Sequence, residues 1–322
     1  MKISRTSLVA LTAATMLAGA AATAHAASVF GPGSNTITFH NWENIFSGST
    51  GLQVSSAIGA PAQAAVGDIL AGILTVNSIY SDQLGSYSYL PTAGSNEITG
   101  VFAQKVTAIV GTTVYFAPLT AADYSAIGSK FTSSIDGTNF SLPSGWNFSG
   151  GEEFAFYQQT GSTDFTTSGT TMAASEATAV NGNLLFSLGY SVDANVTTFS
   201  GDTGYFYATV NNTTGTATDL TAHGGLQFLT NNTGSTFIAG AVDNTASAAA
   251  QAVSVPLWIR SSISDNTNVN STALVAPWNF ISSDPAKATT LVPVPAAAWT
   301  GLSMLGAMGG LAAMRRRKAA KA

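Results

Sequence analysis

Carboxylates are the most plentiful ionisable groups in this chain, and they are the side chains with which it could do chemistry. The sequence has 16 Asp and Glu residues, three His and no Cys. Glu152 and Glu153 form the one adjacent acidic pair, and cleavage of a glycosidic bond needs two carboxyl groups about 5 to 10 Å apart. On a strand, neighbouring side chains point to opposite faces. The pair is therefore more typical of a solvated strand entrance than of a catalytic site.

Other catalytic patterns are weak or missing. His40 and His223 are the two His residues beyond the N-terminal segment, and no Ser is marked as the partner of either in a triad. Two separated His without Cys make a weak zinc site. We find no nucleophile elbow, metalloprotease helix or phosphate-binding loop. We therefore expect no catalytic residue and a non-enzymatic protein, with a secreted polysaccharide-active enzyme that uses two carboxylates as the second alternative.

Asp residues in predicted loops offer a further kind of site. Exported β-proteins without disulfides can be stabilised by Ca²⁺ bound to Asp and backbone carbonyl oxygens. The loop candidates are Asp136, Asp164, Asp193, Asp202 and Asp243. The sequence does not choose among them, so the metal ligands are unknown. No cofactor is required, and a structural Ca²⁺ ion is the alternative.

Two Trp residues lie in polar surroundings and could stack on sugars. Trp42 stands in His-Asn-Trp-Glu-Asn, and Trp146 stands in the loop-like Pro-Ser-Gly-Trp-Asn. A Trp of this kind is more often a partly buried anchor than a ligand platform. Trp42 and Trp146 are thus speculative sugar contacts, and a carbohydrate-binding β-sandwich module, with or without a stabilising Ca²⁺, is the first functional alternative.

The elements that must position these residues are strands. Short runs of aromatic and β-branched residues, such as Ile69 to Val76, alternate with clusters of Gly, Asn, Ser and Thr. Helix signals are few, although Thr120 could cap one turn. We expect an all-β fold, a jelly-roll-like β-sandwich of about 10–12 strands. The body spans residues 27–281, and residues 282–295 form a linker.

The charge of this body is acidic. Residues 27–295 carry four basic residues against all 16 acidic ones, a net charge of −12, whereas the full chain has −5. The remaining basic residues lie in the two terminal segments. An acidic body argues against nucleic acid as a partner.

The N-terminus has the pattern of a secretory signal. Lys2 and Arg5 precede an Ala-rich apolar run from Leu8 to Ala22, and Ala24-His25-Ala26 fits the small-x-small cleavage pattern. Residues 1–26 are therefore predicted to be a signal peptide that forms a helix and is removed by signal peptidase.

The C-terminus has three parts in a fixed order. Val292-Pro293-Val294-Pro295-Ala296 is followed by a charge-free run over residues 296–314 and then by Arg315, Arg316, Arg317 and Lys318. The run is close to the roughly 20 residues of a transmembrane helix. Basic residues beside a span tend to remain in the cytoplasm. We expect residues 296–314 to be a transmembrane helix and residues 315–322 a basic cytoplasmic tail.

Together with the signal peptide, this layout resembles the PEP-CTERM sorting signal in its VPxPA-type variant. Val294 stands where the usual Glu would be, and the resemblance covers only about the last 30 residues and the signal peptide. It implies export in a Gram-negative bacterium, transient retention in the inner membrane and processing by an exosortase. Val292 to Ala296 would be a substrate motif without catalytic residues. The implied destination is the cell surface or extracellular matrix, in exopolysaccharide, biofilm or floc formation, with polysaccharide as a partner.

Overall fold

A computed structural model of the chain describes residues 29–54, 64–91, 96–111, 113–161, 164–167, 170–190, 206–209, 220–238, 257–265 and 277–291. The predicted signal peptide with Ala24 and Ala26, the sorting motif, the run 296–314 and the basic tail lie outside these residues. So do Asp193, Asp202 and Asp243. Within the described ranges, no helix is long and apolar enough to cross a bilayer.

Strands make up most of the described residues, which confirms the predicted all-β class. The 11 strands of the main sheet are β1 (Gly33–Phe46), β2 (Ile69–Ser81), β3 (Ser86–Tyr89), β4 (Asn96–Val110), β5 (Thr113–Pro118), β8 (Glu152–Thr160), β9 (Asn183–Tyr190), β10 (Phe206–Thr209), β11 (Leu220–Asn231), β12 (Leu257–Asp265) and β13 (Phe280–Thr290). Between them lie α1 (Ala121–Ala126), the hairpin of β6 (Phe131–Thr132) and β7 (Asn139–Phe140), a 3-10 turn (Phe148–Gly150) and α2 (Met172–Ala179).

The main sheet is antiparallel and closes on itself. Going around the ring, the order is β1, β2, β4, β8, β9, β11, β12 and β13, and β13 pairs with β1 again. Pairing of β2 with β4, from Ile69–Lys105 to Thr75–Thr99, completes the closure. β5 and β10 form a second bridge between β4 and β11. Because neighbours around the ring follow the order of the chain, without the crossing connections of a jelly roll, the jelly-roll part of the prediction is not confirmed.

The last strand lies where the sequence predicts a linker. Residues 282–290 belong to β13, which is hydrogen-bonded to β12 on one side and β1 on the other. The linker prediction is wrong for these residues, and the body extends to residue 290. Pro285 and the small side chains around it concealed the strand, because Pro usually marks an edge or a break. The first and last strands are neighbours, with Gly33 paired to Thr290.

The inside of the ring is an aromatic-rich core. Side chains alternate along β1, so that Ile37, Phe39 and Ile45 face inward and Phe46 faces outward. The rings of Phe156 and Phe186 stack with centroids 4.4 Å apart. Burial of these side chains supplies the main apolar stabilisation of the ring.

A second core covers the outer face of β1, β2, β4 and β8. The helices α1 and α2 and the β6–β7 hairpin pack on this face, and the cluster includes Phe46, Phe131 and Trp278. The sheet is therefore apolar on both faces in this region, which explains why strands such as β2 read as almost continuous apolar runs.

Candidate functional site

An aromatic group lies on the outer face of the sheet beside α2. Trp42 is half-buried at an outward position of β1, and its ring centroid is 5.5 Å from that of Phe165 and 6.4 Å from that of His40. Register pairing places His40 in one row with Thr75, Thr99 and Tyr157. We call Trp42, His40, Phe165 and Tyr157 the aromatic face. The Thr99 hydroxyl of this row is buried and donates to the Ala179 carbonyl at 2.8 Å, so the face offers a sugar chiefly its rings.

The segment that carries Phe165 is fixed from two sides. The amides of Asp164 and Phe165 donate to the carboxylate of Glu97 at 3.4 and 3.2 Å. The Thr166 amide donates to Thr178 Oγ1 of α2 at 3.4 Å. Burial raises the pKa of Glu97, while the two amides oppose that rise and the nearby Asp164 adds to it. These contacts hold the Phe165 ring against Trp42.

Glu176 of α2 lies near two phenols, Tyr157 of the aromatic face and Tyr124 of α1. Burial raises the pKa of Glu176 on α2 to about 6. Burial, with smaller contributions from Glu152 and Glu176, raises the pKa of Tyr157 to about 12. Burial also raises the pKa of Tyr124 of α1, and Glu176 adds to this rise. The Tyr124 hydroxyl accepts a hydrogen bond from the Leu142 amide at 2.8 Å. Glu176 therefore shares its surroundings with Tyr157 and Tyr124.

The adjacent acids Glu152 and Glu153 are both buried, at 3 % and 0 % exposure, so the expected solvated strand entrance is wrong. Glu152 accepts from the Asn147 amide and contacts Ser187, whose register partner Ala155 belongs to the outer core. Glu153 instead faces Gln104, an inward position of β4. The two side chains make contacts on opposite faces, and the register irregularity between Glu152 and Phe154 places Glu153 on the inward side together with Phe154.

Of the two Trp residues predicted as sugar contacts, only Trp42 retains appreciable exposure. Trp146 is 7 % exposed and belongs to the outer core. Its burial favours the anchor role over stacking on a ligand. Burial also lowers the pKa of His40, because the charged imidazolium is disfavoured in this half-buried position.

Two loop Asp residues predicted as Ca²⁺ candidates have structural partners. Asp136 Oδ1 accepts from the amide and the hydroxyl of Thr138 at 2.9 Å each, and Oδ2 accepts from the Met172 amide at 2.9 Å. Asp164 accepts from the Asn181 side chain at 3.0 and 3.1 Å. Over the described ranges, no group of three or more His, Cys, Asp or Glu residues is placed to hold a metal ion.

Sequence reasoning missed Phe165 and Tyr157 of the aromatic face and the neighbouring Glu176. They lie on a loop, a strand and a helix that only the fold brings together. The alternation of β1 could have marked His40 and Trp42 as outward neighbours, since both occupy even positions of a strand whose apolar Ile37, Phe39 and Ile45 occupy odd positions.

The fold and this surface define a class: an all-β protein with a closed antiparallel sheet and an aromatic outer face. No protein-family model, no curated protein and no solved structure matches the chain.

Proposed function

We propose that this chain is an exported protein of the cell surface or extracellular matrix, with a structural or adhesive role in an exopolysaccharide or biofilm setting. The observation that supports this proposal is the order of a predicted signal peptide, a Val-Pro-Val-Pro motif, a charge-free run and a basic cluster along the chain. In this proposal residues 1–26 and 296–314 are helices, and an exosortase removes the C-terminal one. The inner membrane holds the protein only transiently.

Composition supports the proposal. A Cys-free chain with only 8 % charged residues must obtain solubility from Ser, Thr, Asn and Gly. A closed sheet leaves few exposed edges for uncontrolled pairing, which suits a protein that works at high local concentration outside the cell.

The experiment is the intact mass of the protein recovered from its native host, fraction by fraction. We expect a species that begins at Ala27 and ends between Pro293 and Ala296, with or without an added lipid or glycan. Replacing Pro293 and Pro295 together by Ala should block this processing, whereas replacing Pro285 in β13 should not. A mature species that keeps Arg315 to Ala322 would overturn the proposal.

A second candidate function is carbohydrate binding by the aromatic face. The observation that favours it is the contact of the partly exposed Trp42 with Phe165 and His40. The Thr38 and Ser78 hydroxyls are hydrogen-bonded at 2.7 Å in the neighbouring row of β1 and β2, and hydroxyls of this kind could orient a sugar whose ring stacks on Trp42. The polysaccharide-active enzyme has no comparable support, because Glu152 is buried and already hydrogen-bonded.

A further inference from the structure

Three polar side chains with unsatisfied atoms lie inside the ring of strands. Glu43 and Glu153 are 3 % and 0 % exposed, and Gln104 is 1 % exposed. One oxygen of Glu43, both oxygens of Glu153 and both polar atoms of Gln104 have no hydrogen-bond partner. Buried polar atoms are nearly always partnered, so each exception needs a physical explanation.

The carboxyl groups of Glu43 and Glu153 can be buried either as ionised carboxylates or as neutral acids. An ionised carboxylate without a counter-charge is very costly to bury, and such a group normally takes up a proton instead. Lys105, the cation nearest in sequence to Gln104, is turned to the outer face and is paired with Asp123 at 2.6 Å. Ser282 is the hydrogen-bonding group that opposes the burial effect at Glu43.

The strands around the two carboxyl groups carry few other charges. β2 and β9 have no charged residue in their lengths. On β13, Lys287 pairs in register with Thr36, an outward position of β1, and Asp284 pairs with Phe39. On β12, Asp265 pairs with Phe280, and Arg260 pairs with His223 of β11. Lys287, the described cation of β13, therefore lies on the outer face of the ring.

We propose that the closed sheet holds Glu43 and Glu153 as neutral carboxylic acids, and that removal of these protons in mild alkali destabilises the ring. Burial raises the pKa of each group to about 8, and Ser282 and Gln104 only partly oppose the rise. The Gln104 amide faces Glu153, although the two side chains make no hydrogen bond of full geometry.

The sign of the pH dependence follows from the protons bound in each state. Between the ordinary value of 4.5 and about 8, the folded chain binds protons that the unfolded chain has lost. The ratio of folded to unfolded protein therefore falls as the pH rises through this window, by up to about tenfold per pH unit for each group. The stabilisation is complete below 4.5 and lost above about 8.

The experiment is urea unfolding of the full chain in detergent, across that pH window. Glu153→Gln and Glu43→Gln place a neutral side chain of the same shape at each site. We expect each variant to lose its share of the pH dependence of the free energy of unfolding and to be more stable than the parent at about pH 8. The control is Asp82→Asn, at an exposed turn, which should keep the parental pH dependence. A parental stability that does not fall with pH would overturn the proposal.

Two measurements keep the proposal testable if a variant fails to fold. Infrared spectra of the parent protein at neutral pH should contain the carbonyl stretch of protonated carboxylic acids, which should disappear in alkali. An absent band would contradict the neutral state. Stabilisation by added Ca²⁺ that is lost in Glu153→Gln would also overturn it, because it would show a bound cation in place of the proton.

Discussion

Gly72 of β2 and Phe102 of β4 are register partners, and the Phe102 ring occupies the space into which a side chain at residue 72 would extend. A Cβ at this position would lie 2.9 Å from Phe102 Cε1 and 2.9 Å from Glu43 Cα, and it would also collide with the Trp42 carbonyl oxygen. Because residue 72 has no side chain, β1 and β2 can lie close together while the Phe102 side chain packs inside the closed sheet.

Gly72→Ala should destabilise the protein. Two of the three clashing atoms belong to the backbone of β1 and cannot move without disturbing the ladder, so we expect a loss of about 1–3 kcal/mol in the free energy of unfolding. Urea unfolding measures it. Gly145→Ala is the matched control, because an exposed Cβ there meets nothing within 4 Å. Equal effects at the two positions would contradict this account of packing.

Trp42→Ala tests the aromatic face. If this surface binds polysaccharide, removal of the central ring should weaken binding by about 2 kcal/mol, the size of a typical aromatic anchor. Affinity electrophoresis in gels that contain the host's own exopolysaccharide gives the readout. The control is Trp146→Phe, since the buried Trp146 should affect stability and leave binding unchanged. Unaltered mobility of Trp42→Ala would exclude the aromatic face as the sugar site.

Thr120→Ala should remove the N-terminal cap of α1. Thr120 Oγ1 accepts from the Asp123 amide at 3.1 Å, and the Asp123 carboxylate accepts from the Thr120 amide at 3.3 Å. We expect a loss of about 1 kcal/mol. Thr120→Ser should restore most of it, which a purely apolar role of the Thr methyl group would not allow.

The same cap predicts a dependence on acid pH. Burial alone would raise the pKa of Asp123, but hydrogen bonds from Lys105 and Thr120 outweigh burial and lower it. The stabilisation is therefore present above the ordinary value of 3.8 and is lost as the pH falls through the lowered pKa. Thr120→Ala should weaken this acid dependence, as measured by urea midpoints on either side of that pH.

Glu176→Gln should flatten a different part of the pH profile. Since burial raises the pKa of Glu176 from 4.5 to about 6, its contribution is greatest below 4.5 and lost as the pH rises through 6. The substitution should make the protein relatively more stable above that range. Carboxyl-selective NMR titration of the parent would detect the same group directly, and a midpoint near 4.5 would show that α2 does not bury it.

Much of the sheet could be predicted from the chain, and β13 shows why the rest could not. β2 and the cap of α1 were visible because apolar runs and the Thr120–Asp123 spacing are local signals. β13 was missed because its inward positions are filled by small residues, Ser282, Ala286 and Ala288, whose burial depends on neighbours far away in sequence. Strand periodicity cannot be recognised when the buried side is not visibly apolar.

The candidate site was harder to predict because its members meet only in three dimensions. Trp42 was recognised from its polar neighbours, but its contact with Phe165 depends on hydrogen bonds from residues 164–166 to Glu97 and α2. Trp146 has an equally polar sequence setting and is nevertheless buried, because its side chain packs in the outer core. Local polarity alone does not distinguish these two environments.

The pairing of Gly33 with Thr290 brings the start of β1 next to the end of β13, so these two strand ends could be joined. A circular permutant that joins residue 291 to residue 29 through a short flexible linker, with new ends opened in the turn at Asp82–Gly85, retains every strand of the ring. Such a chain should fold to the same sheet, although β1 and β2 are then synthesised last. Because the ring is closed, its strand pairings do not depend on the order in which the strands are synthesised.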